Sequence, residues 1–346
     1  MRTFSKLYLA FIIGIFLTAC QPAPKEQKLS LFVFGTLVDV TLWGVDKQTA
    51  EQAVKDIETD LKFMHFAWHA WQPGPLGRVN ELLSLAGEFS ANPALLDIIA
   101  KSQQLANNSE HLFNPAIGHL IALWGYNSDD PPKGPPPDEK RIKKLLAKNP
   151  RMDDISIDHV RMKNKNAAVK LDLGAIAKGY ALDRVVNNIK TLGVKNAIIN
   201  AGGDIKAIGK HGDRNWHIGI RHPRKEGVLA GISLQDGESI FTSGDYERFY
   251  EHEGIRYHHI IDGRTGYPAQ GVQSITVIHP DAATADAAAT ALFIAGVKDW
   301  HRIAKKMGIK YAMLIDTNGN IHLNPAMQKR LEFKDKNQQM NISAPL

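Results

Sequence analysis

Asp286 and Thr290 stand four residues apart in the run Ala285-Asp286-Ala-Ala-Ala-Thr290. If that run is helical, their oxygens lie on one face, one turn apart. A carboxylate and a hydroxyl so placed are hard ligands of the kind magnesium takes, the rest of its shell coming from carbonyls, water and substrate phosphate. The alanines around them let a bulky anion approach the helix axis. A local reading competes, since an Asp near a helix start with a Thr one turn on is a common capping composition. A second run, Leu171-Asp-Leu-Gly-Ala-Ile-Ala-Lys-Gly-Tyr180, sets Asp172 and Lys178 among residues too small to shield the backbone. A helix beginning there aims free N–H groups at negative charge. Lys178 can then meet an anion, and Asp172 can accept from a donor on a base or ring; an ordinary helix start with a surface lysine is the alternative. Gly174 and Gly179 have P-loop spacing, but Tyr180 and Ala181 occupy the positions of its Lys and Ser/Thr, so the run is not one.

Three further segments carry polar groups at turns. His258-His259-Ile-Ile-Asp262-Gly-Arg-Thr265-Gly266 reads as a strand running into a tight turn. Histidine accepts a proton near neutral pH without special tuning, and alternation lets only one of the pair point inward. A purely structural turn built on Asp262 fits equally well. Thr242-Ser-Gly-Asp245-Tyr246 and Asn200-Ala-Gly-Gly-Asp204 are glycine-rich turns with carboxylates, or plain hairpin connections. Trp71, Phe113 and Trp124 could stack on a flat heterocycle or pack the core. His65 and His69 have i, i+4 spacing, but H-F-A-W-H lacks the glutamate of a zinc protease.

The elements that must position these groups follow from periodicity. Residues 29–43 read as two strands meeting at Gly35-Thr36, and 47–66 as an amphipathic helix. Helical runs follow at 93–105 and 115–123, and the proline-rich stretch 129–137 reads as a surface excursion within one domain, with a hinge between two domains as the alternative. Strands are expected at 167–173, 196–201, 216–221, 229–234 and 274–278, and helices at 175–192 and 282–295. Because strands are often consecutive, the expected class is α+β, with mixed, largely antiparallel sheets flanked by helices. The domain is expected to span 29–335 and 336–346 to be a polar tail, with the chain turning polar and fraying after Asn324.

With 346 residues and 44% hydrophobic content the chain can bury a proper core. Its net charge of +6 includes Arg2 and Lys6 of the N-terminal leader, and the scattered remainder does not suit nucleic acid. Residues 1–19 read as an export signal whose apolar stretch is too short to span a bilayer. The stretch ends Leu17-Thr-Ala-Cys20 at the only cysteine, which suits lipid attachment on Cys20, with 20–28 as a tether. Diacylglycerol plus an amino-terminal acyl chain gives stable anchoring. The exported body then has no thiol and no disulfide.

Taken together, these segments resemble the ApbE-type FAD:protein FMN transferases, a family once labelled thiamine-biosynthesis lipoproteins. The likeness runs from about Phe34 to Leu323. It is carried by F-G-T at Phe34, F-N-P-x-x-G-x-L-x-x-L-W-G from Phe113, L-D-L-G-A-I-A-K-G-Y from Leu171, A-G-G-D from Ala201, T-S-G-D-Y from Thr242, H-I-I-D-x-x-T-G from His259 and A-D-A-x-x-T from Ala285. Gly263 stands where the family usually has proline, and Phe34 where it usually has methionine. The resemblance implies an ApbE-like, T-fold-like architecture and magnesium-dependent transfer of FMN from the substrate FAD to a Thr or Ser hydroxyl, releasing AMP. It implies that Asp172 and Lys178 contact FAD, that Phe34, Trp71, Leu112, Phe113, Asn114 and Ile260 line the flavin and adenine pocket, and that Asp286, Thr290 and the Ala175 carbonyl hold Mg2+. His259 matches the histidine that assists catalysis. Expected acceptors are membrane redox subunits of the quinone-reductase or related electron-transfer type, reached from the periplasmic side of a bacterial membrane, the inner one by resemblance. The alternatives are an FAD pyrophosphatase releasing FMN and AMP, and a flavin-binding lipoprotein without chemistry.

Overall fold

The computed structural model describes residues 26–346 except 86, 129, 131 and 336. The expected leader and Cys20 lie outside the described residues. A nine-stranded sheet forms the centre, in spatial order β1 (Gln27–Val33), β2 (Thr36–Leu42), β6 (Ala197–Ala201), β7 (Asp204–Ile208), β10 (Ser239–Gly244), β13 (Val272–His279), β14 (Tyr311–Asp316), β15 (Ile321–Leu323) and β17 (Met340–Ile342). Every pairing is antiparallel except β15 with β17. Three small sheets accompany it: β8 (Trp216–Arg221), β9 (Val228–Leu234) and β16 (Glu332–Phe333); β3 (Gly87–Ser90), β4 (Ile155–Asp158) and β5 (Arg161–Asn164); and the hairpin β11 (Phe249–His252) with β12 (Ile255–His258). Helices and mixed, largely antiparallel sheets are the architecture that consecutive strands imply.

One face of the large sheet is covered by helices. α1 (Lys47–Ala67) buries Ala50, Ala53, Ile57, Leu61 and Met64, the expected spacing, and its N-cap Asp46 accepts from Thr49 N–H at 3.0 Å. α2 (Pro75–Leu83) and α3 (Pro93–Asn108) extend this layer, followed by the short α4 (Gly118–Leu123) and α5 (Glu139–Leu146). α6 (Ala177–Thr191) and α7 (Ala282–Lys306) pack on each other and on the sheet. The first part of α7 is alanine-rich and buried all round, because small side chains let its axis sink between β10, β13 and α6. The other face of β7, β10, β13, β14 and β15 is covered by β8, β9 and β16, with Ile205, Trp216, Ile232, Ile240 and Met313 in the contact.

Four expectations fail. Residues 167–173 form no strand; only an isolated bridge links Ile117 and Lys170. The Asn80 side chain takes the place of a ladder there, with Oδ1 accepting from Leu171 N–H at 2.7 Å and Nδ2 donating to Leu171 C=O at 2.9 Å. The second helix runs on past residue 295 to Lys306, through a break at Gly296 (φ 69°, ψ −177°), a conformation open to glycine. Beyond Asn324 the chain does not fray: α8 (Pro325–Gln328), β16 and β17 follow, and Leu346 packs against the main core. At the front, β1 begins at Gln27, inside the expected tether.

Candidate active site

α6 and α7 cross at glycine. A Cβ at Gly179 would lie 2.2 Å from the Ala282 carbonyl oxygen and 2.8 Å from Asp286 Cβ, so only hydrogen permits this approach. α6 has no side-chain cap of its own. Its third N–H, that of Gly179, donates instead to Asp286 Oδ2 at 2.9 Å, so the buried carboxylate of α7 caps α6 from outside. Asp286 is not a cap of its own helix, because Asp281 fills that role by accepting from Thr284 N–H at 2.7 Å. With Gly179 N–H so engaged, the Ala175 carbonyl stays out of the helical ladder, which starts at Ile176 C=O. Thr290 Oγ1, one turn beyond Asp286, lies 3.5 Å from Ser243 Oγ on β10.

Around this crossing charge is concentrated in low dielectric. The Lys178 ammonium is ion-paired with Asp204 Oδ2, and Asp204 Oδ1 accepts from Thr242 N–H at 3.0 Å. Burial pushes the Asp286 carboxyl up to about 7; Lys178 opposes the rise and Asp204 adds to it. Burial alone would depress Lys178, but Asp204 and Asp286 raise it above its ordinary value, so it stays charged. Asp172 is raised by burial, against the pull of the Gly174 N–H, which donates to its Oδ1 at 2.9 Å.

The histidine pair divides as alternation requires. His258 is buried, with Nδ1 accepting from Ile260 N–H at 3.2 Å and Nε2 donating to Ala269 C=O at 2.7 Å, and its ring meets Phe293 of α7 at 5.4 Å. It is the structural member. His259 faces the cavity; its Nδ1–H donates to Arg248 C=O at 3.3 Å, leaving the Nε2 lone pair open. Burial, with His258, Arg248 and Lys178 adding to it, pushes His259 down to about 3, so the ring is neutral. Asp262 serves the turn, clamping Arg264 at 2.8–3.1 Å.

The rim is formed by the β1–β2 turn. Phe34 (φ 54°) and Gly35 (φ 70°) make a two-residue turn of the type that favours Asn-Gly, and an aromatic at its first position is a strained choice. The Phe34 ring is stacked 6.3 Å from Trp68, and its N–H donates to His65 Nδ1 at 3.3 Å, which holds it there. The β6–β7 turn, Gly202-Gly203, packs beside it: a Cβ on Gly202 would lie 2.3 Å from Thr36 Oγ1.

All these walls enclose one cavity of about 650 Å3. Phe34, Trp71, Leu112, Phe113, Asn114, Asp172, Ala175, Lys178, His259, Ile260, Asp286 and Thr290, twelve expected residues from six separate stretches of the chain, all line it. Asn114 does so with its amide engaged elsewhere, Nδ2 donating to Pro150 C=O at 2.9 Å and Oδ1 accepting from Ala116 N–H at 3.1 Å. Arg221, Glu247 and Arg248 line the cavity too and were not among the expected residues. Arg221 lies 4.5 Å over the Tyr246 ring and 2.7 Å from Glu247. The available sign was the E-R pair directly after T-S-G-D-Y.

A magnesium ion fits this donor set. One buried carboxylate carries no positive partner of its own on α7, and a hydroxyl and a carbonyl outside the ladder join it. Among the described residues no group of three or more His, Cys, Asp or Glu could hold a metal, so phosphate and water oxygens would complete the shell, as magnesium favours.

A family model described as the ApbE family matches residues 34–314. The chain belongs to the ApbE family. A relative from Rhodobacter capsulatus, named FAD:protein FMN transferase, is 41% identical over 311 residues, which cover 90% of this chain and 59% of the relative. The chain thus spans well under two thirds of that relative's length. A Treponema pallidum protein of the same name is 34% identical over 302 residues, 79% of each chain. The crystal structure of the ApbE protein of Thermotoga maritima superposes with a TM-score of 0.79 at 31% identity, covering 86% of this chain and 96% of that one.

Proposed function

We propose that this ApbE-family chain transfers FMN from FAD to a Thr or Ser hydroxyl of an exported or membrane redox protein and releases AMP; that its relatives are named FAD:protein FMN transferase supports the FMN transfer. The observation that carries this reading is the junction of Asp286, Thr290, Lys178, Asp172 and His259 in one cavity lined by aromatics. Its volume suits a ligand that buries a flavin and a diphosphate.

The residues divide the work. Lys178, held charged by Asp204, offers a fixed cation to the diphosphate. Phe34, Trp71, Leu112, Phe113 and Ile260 supply apolar surface for the flavin and adenine, and Asp172 accepts from a ring donor. Asp286, Thr290 and the Ala175 carbonyl would hold a magnesium ion, which would supply positive charge to the diphosphate. The acceptor hydroxyl oxygen bonds to the FMN phosphorus, the bond from that phosphorus to the bridging oxygen breaks, and AMP leaves with the oxygen. The hydroxyl proton passes to His259 Nε2, the nitrogen left open by the Arg248 contact. Lipid on Cys20 would hold the body at the periplasmic face of the inner membrane, beside its acceptors.

The test is incubation of the full chain with FAD, Mg2+ and source-cell membranes lacking this protein. The expected result is a flavin-fluorescent acceptor band that survives denaturation, and one equivalent of AMP per flavin. AMP without a labelled band would replace transfer by hydrolysis.

A further inference from the structure

We infer that the free edge of β1, with the Phe32–Leu37 pair beside the cavity rim, docks an extended segment of the acceptor polypeptide as an added strand. This deepens the transfer reading and rests on it. β1 ends the nine-stranded sheet, so the backbone N–H and C=O groups on its outer side have no strand partner among the described residues. Natural edges are usually blunted by proline, bulges or repeated lysine. This one runs seven residues in unbroken register with β2, with no proline and a single lysine near its start.

The outward face of the hairpin changes character towards the cavity. Its cross-strand pairs are Lys28–Thr41, then Ser30–Asp39, then Phe32–Leu37: two polar pairs and one apolar pair at the cavity end. Phe32 is 74% exposed and Leu37 51% exposed, although neighbouring Val33 and Val38 are buried in the core. Of the residues between the apolar pair, Phe34, Gly35 and Thr36 line the cavity. A strand laid on β1 would therefore gain sequence-independent main-chain bonds along the edge and a specific apolar contact at its end. Continuing past the turn, it would bring its next residues to the cavity mouth. The rim is a rigid guide, because the Phe34 ring stacks on Trp68 and its N–H is bonded to His65. The chemistry selects an acceptor segment that is extended, without proline, and carries an apolar side chain a few residues from the reacting Thr or Ser.

The test compares Phe32→Glu, Leu37→Glu and, at the polar end, Thr41→Glu in the full chain. The acceptor probe is source-cell membrane lacking this protein, with FAD and Mg2+; the readouts are the initial rate of flavin incorporation into protein and FAD affinity from quenching of flavin fluorescence. The expected result is at least a tenfold fall in incorporation for Phe32→Glu and Leu37→Glu, with FAD affinity within twofold, and no change for Thr41→Glu. Unchanged incorporation in both apolar-site variants overturns the inference, as does a parallel loss of FAD affinity. A change confined to sedimentation or to vesicle binding would assign the pair to a second copy or to lipid and overturns it equally. If the unaltered chain binds FAD but labels no protein, the transfer reading itself falls, which separates the two failures.

Discussion

Asp286 of α7 caps α6 through the Gly179 N–H, at 2.9 Å, so the carboxylate expected to ligate metal also holds together the two helices that frame the cavity. Its two roles separate by substitution. Asp286→Asn keeps an acceptor for Gly179 and removes the charge; we expect flavin incorporation to fall at least roughly a hundredfold, while the melting temperature moves by only a few degrees. Asp286→Ala should lose the cap as well, at about 1 kcal/mol. Full activity in Asp286→Asn would remove the metal role.

Gly179→Ala tests the crossing itself. The added methyl meets backbone at 2.2 Å, which no side-chain rotation relieves. Overpacking of this kind costs about 1–3 kcal/mol, and the displaced helix should also weaken Mg2+-dependent thermal stabilisation. A variant with unaltered melting and metal response would show that the helices have slack.

The Asp286 carboxyl is pushed up to about 7 by burial, from an ordinary 3.8. Because the folded value lies above the unfolded one, the metal-free fold holds a proton that the unfolded chain releases. Its stabilising contribution is complete below pH 4 and disappears as pH rises through about 7. Metal binding has the opposite sign, since a ligand must be deprotonated. Stabilisation of the full chain by Mg2+, read from melting, should be weak at pH 5.5 and complete at pH 8; a flat profile contradicts the assignment.

His258 and His259 should differ sharply when replaced. His259→Ala removes a group facing the cavity, so we expect normal folding and FAD affinity with incorporation reduced roughly 10²–10⁴-fold. His258→Ala strands a buried N–H of Ile260 and the Ala269 carbonyl, each costing about 1–3 kcal/mol. It should lower the melting temperature first. The reverse pattern, measured by melting and by incorporation, would exchange their roles.

Breaking the Lys178–Asp204 pair leaves an uncompensated buried acid. Lys178→Met should cost about 3–5 kcal/mol, discounted for a lysine side chain that is 28% exposed, and should weaken FAD binding. Lys178→Arg retains charge but not the compact head, and an intermediate FAD affinity is expected.

The local part of this site was legible because helical spacing is local. Asp286 and Thr290 four apart declare a shared face, and Asp172 and Lys178 among small residues mark a helix start open to a ligand, without any tertiary knowledge. The external cap was not legible, since Gly179 and Asp286 meet only where two helices cross 107 residues apart in sequence. For the same reason Asp204 read as a hairpin carboxylate, its lysine partner being nonlocal. Arg221 gave no periodic sign, because a charged residue ending a strand is ordinary at a surface, and Glu247 lies in the connection between β10 and β11, where only its place after T-S-G-D-Y pointed to the site. The misread at 167–173 has a similar cause: the segment reads as a strand by composition, and the Asn80 amide supplies its backbone bonds from a distant helix.

The parallel pairing of β17 with β15 brings the last residues of the chain back into the central sheet. Every residue lining the cavity lies at or before Ile294. Whether the polypeptide emerges from a ribosome or through a membrane pore, the cavity walls have all appeared while the final edge of the sheet is still threaded. Assembly of the cavity can thus precede sealing of the far border, and a substitution that loosened β17 would disturb that border while leaving the cavity walls in place.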